Sequence, residues 1–314
     1  MSGVRIASQL DARFNALLAA AVPGVEILAL PRGVPHGLPD DVRVLLAAPD
    51  PGLRDAVAPP SGWPFGLGFV QLVSSGIDYF PGWLLEPVPV ASARGVTADS
   101  LAEFALAAMF AAAKQLPQLW IDEPGQWQPR PLASLAGSTL GIYGFGRIGQ
   151  ALTRKALALD IEVIALRRSA RPFEVAGVRG VASVEELFAR ADHLVLAAPA
   201  DPSTLHVVDR RSLAHAKPGL HLINIARGSL VDQDALLDAL DSGQVALASL
   251  DVTEPEPLPA GHRLYGHPKV RLSPHTSANT PQVYRNLAAL LARNLDHLRS
   301  GRPLENLLAQ GETA

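Results

Sequence analysis

Three short stretches carry side chains that could move a proton beside a carbonyl group. INIARGSLVD (Ile223–Asp232) holds Arg227, LDVTEPEP (Leu250–Pro257) holds Asp251 with the acids Glu254 and Glu256, and LSPHTSANT (Leu272–Thr280) holds His275. The planar fork of an arginine binds a carboxylate together with an adjacent carbonyl oxygen. A histidine beside a carboxylate has its pKa raised, so the imidazolium persists near neutral pH and can protonate a carbonyl as hydride arrives. A fourth stretch, LGIYGFGRIGQ (Leu140–Gln150), sets Gly144, Gly146 and Gly149 in a G-x-G-x-x-G pattern. The first glycine permits a tight turn, the second lets backbone approach a pyrophosphate, and the third lets helix and strand pack closely. A helix starting there would offer phosphates its unpaired N–H groups and positive dipole end.

The elements that must position these residues follow from the pattern of apolar runs. Thr139–Tyr143 reads as a strand into the glycine turn, and Ile148, Leu152, Ala156 and Leu159 mark one face of the helix after it. Strands are expected at Ile161–Leu166, His193–Ala198, His221–Ala226, Val245–Val252 and Lys269–Leu272. Ser183-x-x-Glu186 reads as a capping box, Asp232 as a cap for Gln233–Ser242, and Gly243 as its stop. Strands alternating with helices imply a parallel sheet with right-handed crossovers and a ligand at the carboxyl ends of the strands. The stretches with Arg227, the acids and His275 all begin just beyond such ends. Singly, Arg227 could cap a turn, Glu254 and Glu256 could be solvated, and His275 could be one of nine ordinary histidines. Their common placement favours function.

Upstream, Val4–Ala7, Val25–Leu30, Val42–Ala48, Phe69–Val73 and Val88–Ala91 are short apolar runs with a helical stretch near Leu10–Ala21, which suggests a smaller open α/β domain. Pro49–Gly66 reads as a surface connection. In LVSSGIDYF (Leu72–Phe80), Ser75 and Gly76 follow an apolar strand and offer backbone N–H groups to a carboxylate. Thr97–Gln115 is a helix apolar over most of its circumference, hence buried or at an interface. Thr280-Pro281 caps a long helix through Leu298 that is expected to return to the first domain. The expected fold is α/β, with two Rossmann-like or flavodoxin-like domains of parallel sheet. Residues 93–280 would form the cofactor domain, inserted into a substrate-binding domain of residues 1–92 and 281–314.

Composition narrows the function classes. At 314 residues the chain has room for two cores. Hydrophobic residues make up 48% of it, yet no apolar run approaches the ~20 residues of a membrane span. The N-terminus does not read as a signal peptide, so a soluble, cytoplasmic protein is expected. With no cysteine, thiol chemistry is excluded, and no metal site is expected. A net charge of −3 without a basic stripe argues against nucleic acid as a partner.

The chain resembles the D-isomer-specific 2-hydroxyacid dehydrogenases, a family that includes glyoxylate, hydroxypyruvate and phosphoglycerate dehydrogenases. The resemblance rests on SSGID, SLAEFALA, GIYGFGRIGQ, PSTLHVVD, AKPGLHLINIARGSLVDQDALLDAL, LDVTEPEPL and SPHTSANT, across residues 72–280. It implies Arg227 as the substrate-binding arginine, Glu256 as the acid that orients the histidine, and His275 as general acid/base. Glu256 is chosen over Glu254 because the family places this acid five positions after the aspartate, here Asp251. Ser75 and Gly76 would hold the substrate carboxylate. Gly144, Gly146, Arg147, Ile148, Gly149, Pro199, Thr204, Ala226, Asp251, His275 and Ser277 would line the dinucleotide, with Asp251 on the nicotinamide carboxamide. The implied reaction is reversible reduction of a small 2-ketoacid to the D-2-hydroxy acid between closing domains. A homodimer paired through Ser100–Ala113 is also implied. Rival readings are a phosphoglycerate-type dehydrogenase and a dinucleotide-sensing corepressor.

One departure concerns the cofactor. Folds selective for NAD place an Asp or Glu ~20 residues beyond the glycines, on the ribose 2′-OH. Here that position is Arg167, followed by Arg168 and Ser169. These could bind a 2′-phosphate by charge-assisted hydrogen bonds, so NADP(H) is the preferred expectation and NAD(H) the alternative.

Overall fold

A computed structural model describes residues 4–169 and 171–309. The chain divides into two compact units, Met1–Thr97 with Thr280–Ala314, and Ala98–Asn279. The first crossing falls at Thr97 rather than near residue 92, because Ala93 and Val96 are buried in the core of the first unit. The outermost residues of the expected first domain, 1–3 and 310–314, lie outside the described residues.

The first unit begins with β1 (Arg5–Ser8), α1 (Ala12–Ala21), β2 (Glu26–Ala29), β3 (Val42–Ala47), α2 (Pro51–Arg54), β4 (Phe69–Leu72) and β5 (Val90–Ala91). The second contains α3 (Ala98–Ala113), β6 (Thr139–Tyr143), α4 (Arg147–Leu157), β7 (Glu162–Leu166), β8 (Val178–Gly180), α5 (Val184–Arg190), β9 (His193–Leu196), α6 (Arg210–Ala214), β10 (Leu220–Asn224), α7 (Gln233–Ser242), β11 (Val245–Leu250), α8 (Arg263–Gly266) and β12 (Val270–Leu272). Helix α9 (Pro281–Ser300) completes the first unit.

The first unit is a parallel sheet of order β2-β1-β3-β4-β5, the flavodoxin-like arrangement. Successive residues of its strands face opposite cores. Val44 and Leu46 pack with α1 and α9, whereas Leu45 and Ala47 pack with Leu53, Phe80 and Leu84. Buried Asn294 of α9 donates to Gln71 at 2.9 Å, which fastens that helix to β4.

The second unit is a parallel sheet of order β12-β11-β10-β9-β6-β7-β8. This is the doubly wound dinucleotide-binding order with one added strand. Leu194 and Leu196 face the core under α5, α6 and α7, while Val195 faces the core under α3 and α4. The apolar helix α3 buries Ala98, Leu101, Ala102, Ala105, Leu106, Met109 and Ala113 within this unit, and leaves Phe110 exposed.

Local signals behave largely as the sequence predicts. Asp232 accepts from the Ala235 N–H, and Gly243 ends α7 at φ +83°. At α5, Ser183 accepts from the Glu186 N–H, but the Glu186 carboxylate reaches back to the Ala182 N–H, so the reciprocal box does not close. The closed box is at α6, between Asp209 and Ser212. Strand β8 is not expected from the sequence, since three residues carry too little alternation to read.

Candidate active site

In a parallel sheet every strand presents its carboxyl end to the same edge. Neighbouring strands β12, β11 and β10 therefore deliver the His275, Asp251–Glu256 and Arg227 loops side by side, and β9, β6 and β7 continue the row. Gly228 shows how closely the loops fit. A Cβ on it would lie 2.0 Å from the Thr253 carbonyl carbon and 2.6 Å from the Glu254 nitrogen. No larger residue fits between the arginine and acid loops. Asn224 at the end of β10 sets the approach, donating to the Arg227 carbonyl at 2.8 Å and accepting from the Ala226 N–H. Gln233 donates to the Glu254 carbonyl, tying α7 to the acid loop.

Glu256 is the acid paired with histidine. Its Oε2 lies 2.9 Å from His275 Nδ1, and its Oε1 accepts from the Thr253 N–H at 3.0 Å. The bond to Glu256 raises the His275 pKa above its ordinary 6.5, outweighing the opposing effects of burial and of the nearby Arg227 charge. Burial pushes Glu256 upward, but the hydrogen bonds from His275 and Thr253, with the charges of His275 and Arg227, bring it below 4.5. Arg227 thus acts electrostatically on both partners. Its own guanidinium donates to the Ala226 carbonyl at 2.8 Å.

His275 is held by strained backbone. It stands at φ +48°, uncommon for a residue with a side chain, and its N–H donates to the Asp251 carbonyl at 2.9 Å. The Asp251 carboxylate, 1% exposed, fixes the rest of the loop. Its Oδ1 accepts from Ser273 Oγ at 2.5 Å and from the Thr276 N–H at 3.0 Å, and its Oδ2 accepts from the Ser277 N–H at 3.0 Å. A carboxamide contact by Asp251 would have to use a remaining lone pair. Ser273 and Thr253 complete this scaffold; only their nearness to His275 and Glu256 in the sequence could have singled them out.

The glycine turn fits a dinucleotide. Gly144 has φ +93°, and a Cβ there would overlap Ala198, 2.6 Å from its nitrogen. Gly146 caps α4 without a side-chain hydrogen bond, and a Cβ on it would meet nothing within 4 Å. Open space therefore faces the first turn of the helix, with its N–H groups turned toward it. A Cβ on Gly149 would come within 3.0 Å of the Gly144 carbonyl oxygen, the expected close packing. Arg147 is exposed and Ile148 packs inward. Beyond β9, Thr204 Oγ1 donates to the Pro199 carbonyl at 2.9 Å and holds that turn. Ala226 and Ser277 are buried.

The basic residues after β7 divide. Arg167, with a side chain 15% exposed, bonds Glu174 at 2.9 Å and the Pro172 carbonyl, and lies over the Phe173 ring. It shapes the following loop. Arg168 is 82% exposed and pairs with Asp201 at 3.1 Å, and Ser169 is exposed beside it. In the first unit, Ser75 and Gly76 occupy the turn after β4, where Ser75 Oγ donates to the Ala93 carbonyl at 3.2 Å.

Residues 106–277 match the family model described as the NAD binding domain of D-isomer specific 2-hydroxyacid dehydrogenases. The chain belongs to that family. As a D-isomer specific 2-hydroxyacid dehydrogenase it is an enzyme of the NAD-dependent dehydrogenase and reductase class. It is 32% identical over 253 residues to the glyoxylate reductase/hydroxypyruvate reductase of Homo sapiens, covering 77% of each chain. It is 34% identical to the D-3-phosphoglycerate dehydrogenase of Methanocaldococcus jannaschii, covering 70% of this chain but 43% of that one. A D-isomer specific 2-hydroxyacid dehydrogenase from Xanthobacter autotrophicus Py2, solved with NADPH and MES, superposes with a TM-score of 0.80 at 27% identity over 98% of both chains. Among the described residues no helix is long and apolar enough to cross a membrane.

Proposed function

We propose that this dehydrogenase reduces a small 2-ketoacid of the glyoxylate or hydroxypyruvate type to the D-2-hydroxy acid, reversibly and with NADP(H) preferred over NAD(H). The contact between His275 Nδ1 and Glu256 Oε2, with Arg227 acting on both, carries the reading. Nδ1 is engaged with the carboxylate, so Nε2 is the atom left to face a substrate oxygen. Arg227 would bind the substrate carboxylate and polarise the carbonyl; by resemblance to the family, Ser75 and Gly76 would offer N–H groups to a carboxylate. A bound reduced nicotinamide would supply the hydride to the carbonyl carbon. His275 would give the Nε2 proton to the carbonyl oxygen, while Glu256 keeps the ring aligned and protonated. In the oxidative direction neutral His275 would accept the hydroxyl proton.

The dinucleotide would lie on Gly144, Gly146 and Gly149 over the first turn of α4. The absence of an acid at position 167 and the exposed Arg168 support a 2′-phosphate. Exposed Trp120 and Trp127, on the segment after α3, support a homodimer, since large aromatic surface is ordinarily covered by a partner. The test is a panel of 2-ketoacids with NADPH and with NADH, scored by kcat/KM and product chirality. Turnover of glyoxylate or hydroxypyruvate with NADPH favoured is expected. A clear NADH preference would remove the cofactor assignment, and preference for phosphohydroxypyruvate would replace the substrate.

A further inference from the structure

The pair formed by Arg168 and Asp201 spans the glycine turn. Arg168 stands just beyond the carboxyl end of β7 and Asp201 beyond that of β9, and β6 lies between these two strands. Tyr143, the last residue of β6, is half-buried beneath them: burial raises its pKa, the Asp201 charge adds to that, and the Arg168 charge opposes it. The ion pair therefore lies over the strand end at which the dinucleotide fold receives its ligand.

The two partners differ in freedom. Asp201 belongs to a tight turn in which its Oδ1 accepts from the Ser203 N–H at 2.7 Å and from Ser203 Oγ at 2.5 Å. Its own N–H donates to Thr204 Oγ1 at 2.8 Å, and Thr204 is buried. The hydrogen bonds from Ser203 hold its carboxyl below the usual 3.8, so it is ionised at neutral pH. Arg168, by contrast, extends into solvent with only Oδ2 of Asp201 as its partner among the contacts described. Arg168 is therefore the freer partner to turn toward an anion, and Asp201 the more firmly held.

We infer that Asp201 is a specificity-determining residue that limits the preference for a 2′-phosphorylated coenzyme, by holding Arg168 and by repelling the incoming phosphate. This rests on the NADP(H) reading above. Folds that select NAD carry their repelling acid at the end of the strand after the glycine turn. Here that position is basic, and the acid acts from the opposite side of the turn, fixed to β9. A 2′-phosphate must draw Arg168 away from Asp201 and then remain near an unpaired carboxylate. A 2′-hydroxyl makes neither demand.

The experiment is calorimetric titration of the full chain with adenosine 2′,5′-bisphosphate and with adenosine 5′-monophosphate, in wild type, Asp201→Asn and Arg168→Gln. Asparagine keeps an oxygen for Ser203 and removes the charge, so the turn is preserved. Asp201→Asn is expected to tighten the bisphosphate about threefold to fivefold, the upper part of what an exposed ion pair contributes, with the monophosphate unchanged. Arg168→Gln is expected to weaken the bisphosphate about tenfold. If Asp201→Asn leaves the bisphosphate unchanged while Arg168→Gln weakens it, the role of Asp201 is refuted and the NADP(H) reading survives. Equal tightening of both nucleotides also refutes it, as a general charge effect. If wild type does not favour the bisphosphate and Arg168→Gln changes nothing, the NADP(H) reading itself fails.

Discussion

At the scale of single residues, the proposed chemistry depends on the protonation window of one pair. His275 is raised above 6.5, so its ion pair stabilises the folded state fully below that value and loses its contribution as pH rises through the raised pKa. Glu256 is depressed below 4.5, so its contribution is present above that value and is lost as pH falls through the lowered pKa. Between the limits the imidazolium and carboxylate coexist. Reduction is therefore expected to hold a plateau there and to decline above the His275 pKa, while oxidation rises across the same range. Glu256→Gln leaves burial and Arg227 pushing His275 down against a smaller upward effect of the Asp251 charge. The alkaline limb of kcat for reduction is expected to move below 6.5, with kcat at neutral pH falling about tenfold. A limb that stays in place would detach Glu256 from the histidine.

At the scale of elements, site precision comes from loops locked against each other at adjacent strand ends. Gly228 is the tightest lock, because the Thr253–Glu254 backbone fills the space a side chain would need. Gly228→Ala is expected to cost about 3 kcal/mol or more, through overpacking against rigid backbone. Denaturant midpoints would show the loss. Unchanged stability would mean that these loops are not in contact. This lock was not legible in the sequence, where Gly228 is merely the residue after Arg227. Strand alternation and glycine spacing placed Arg227, the acids and His275 on one sheet edge, because both signals are local. The side-chain partners were not local. The sequence did not show that Glu174 and Phe173 engage Arg167, or that Ser273, Thr276 and Ser277 donate to the Asp251 carboxylate.

At the scale of the molecule, two doubly wound units account for the chain, one interrupted by the other. The helix that Thr280-Pro281 starts is expected from the sequence to return to the first domain, and α9 packs with α1 in the first unit's core. The first boundary of the inserted unit was less legible, since Ala93 and Val96 commit to a core that only the folded chain reveals. On the proposed reading this family member reduces a 2-ketoacid with His275 as proton donor, and the coenzyme is held mainly by the glycine turn of Gly144, Gly146 and Gly149, away from the imidazole. The most direct measurement compares wild type with His275→Ala in NADPH-dependent reduction of glyoxylate or hydroxypyruvate, with NADPH binding titrated in parallel. A fall in kcat of about 10²- to 10⁴-fold at nearly unchanged NADPH affinity is expected. Wild-type turnover by the variant would contradict it.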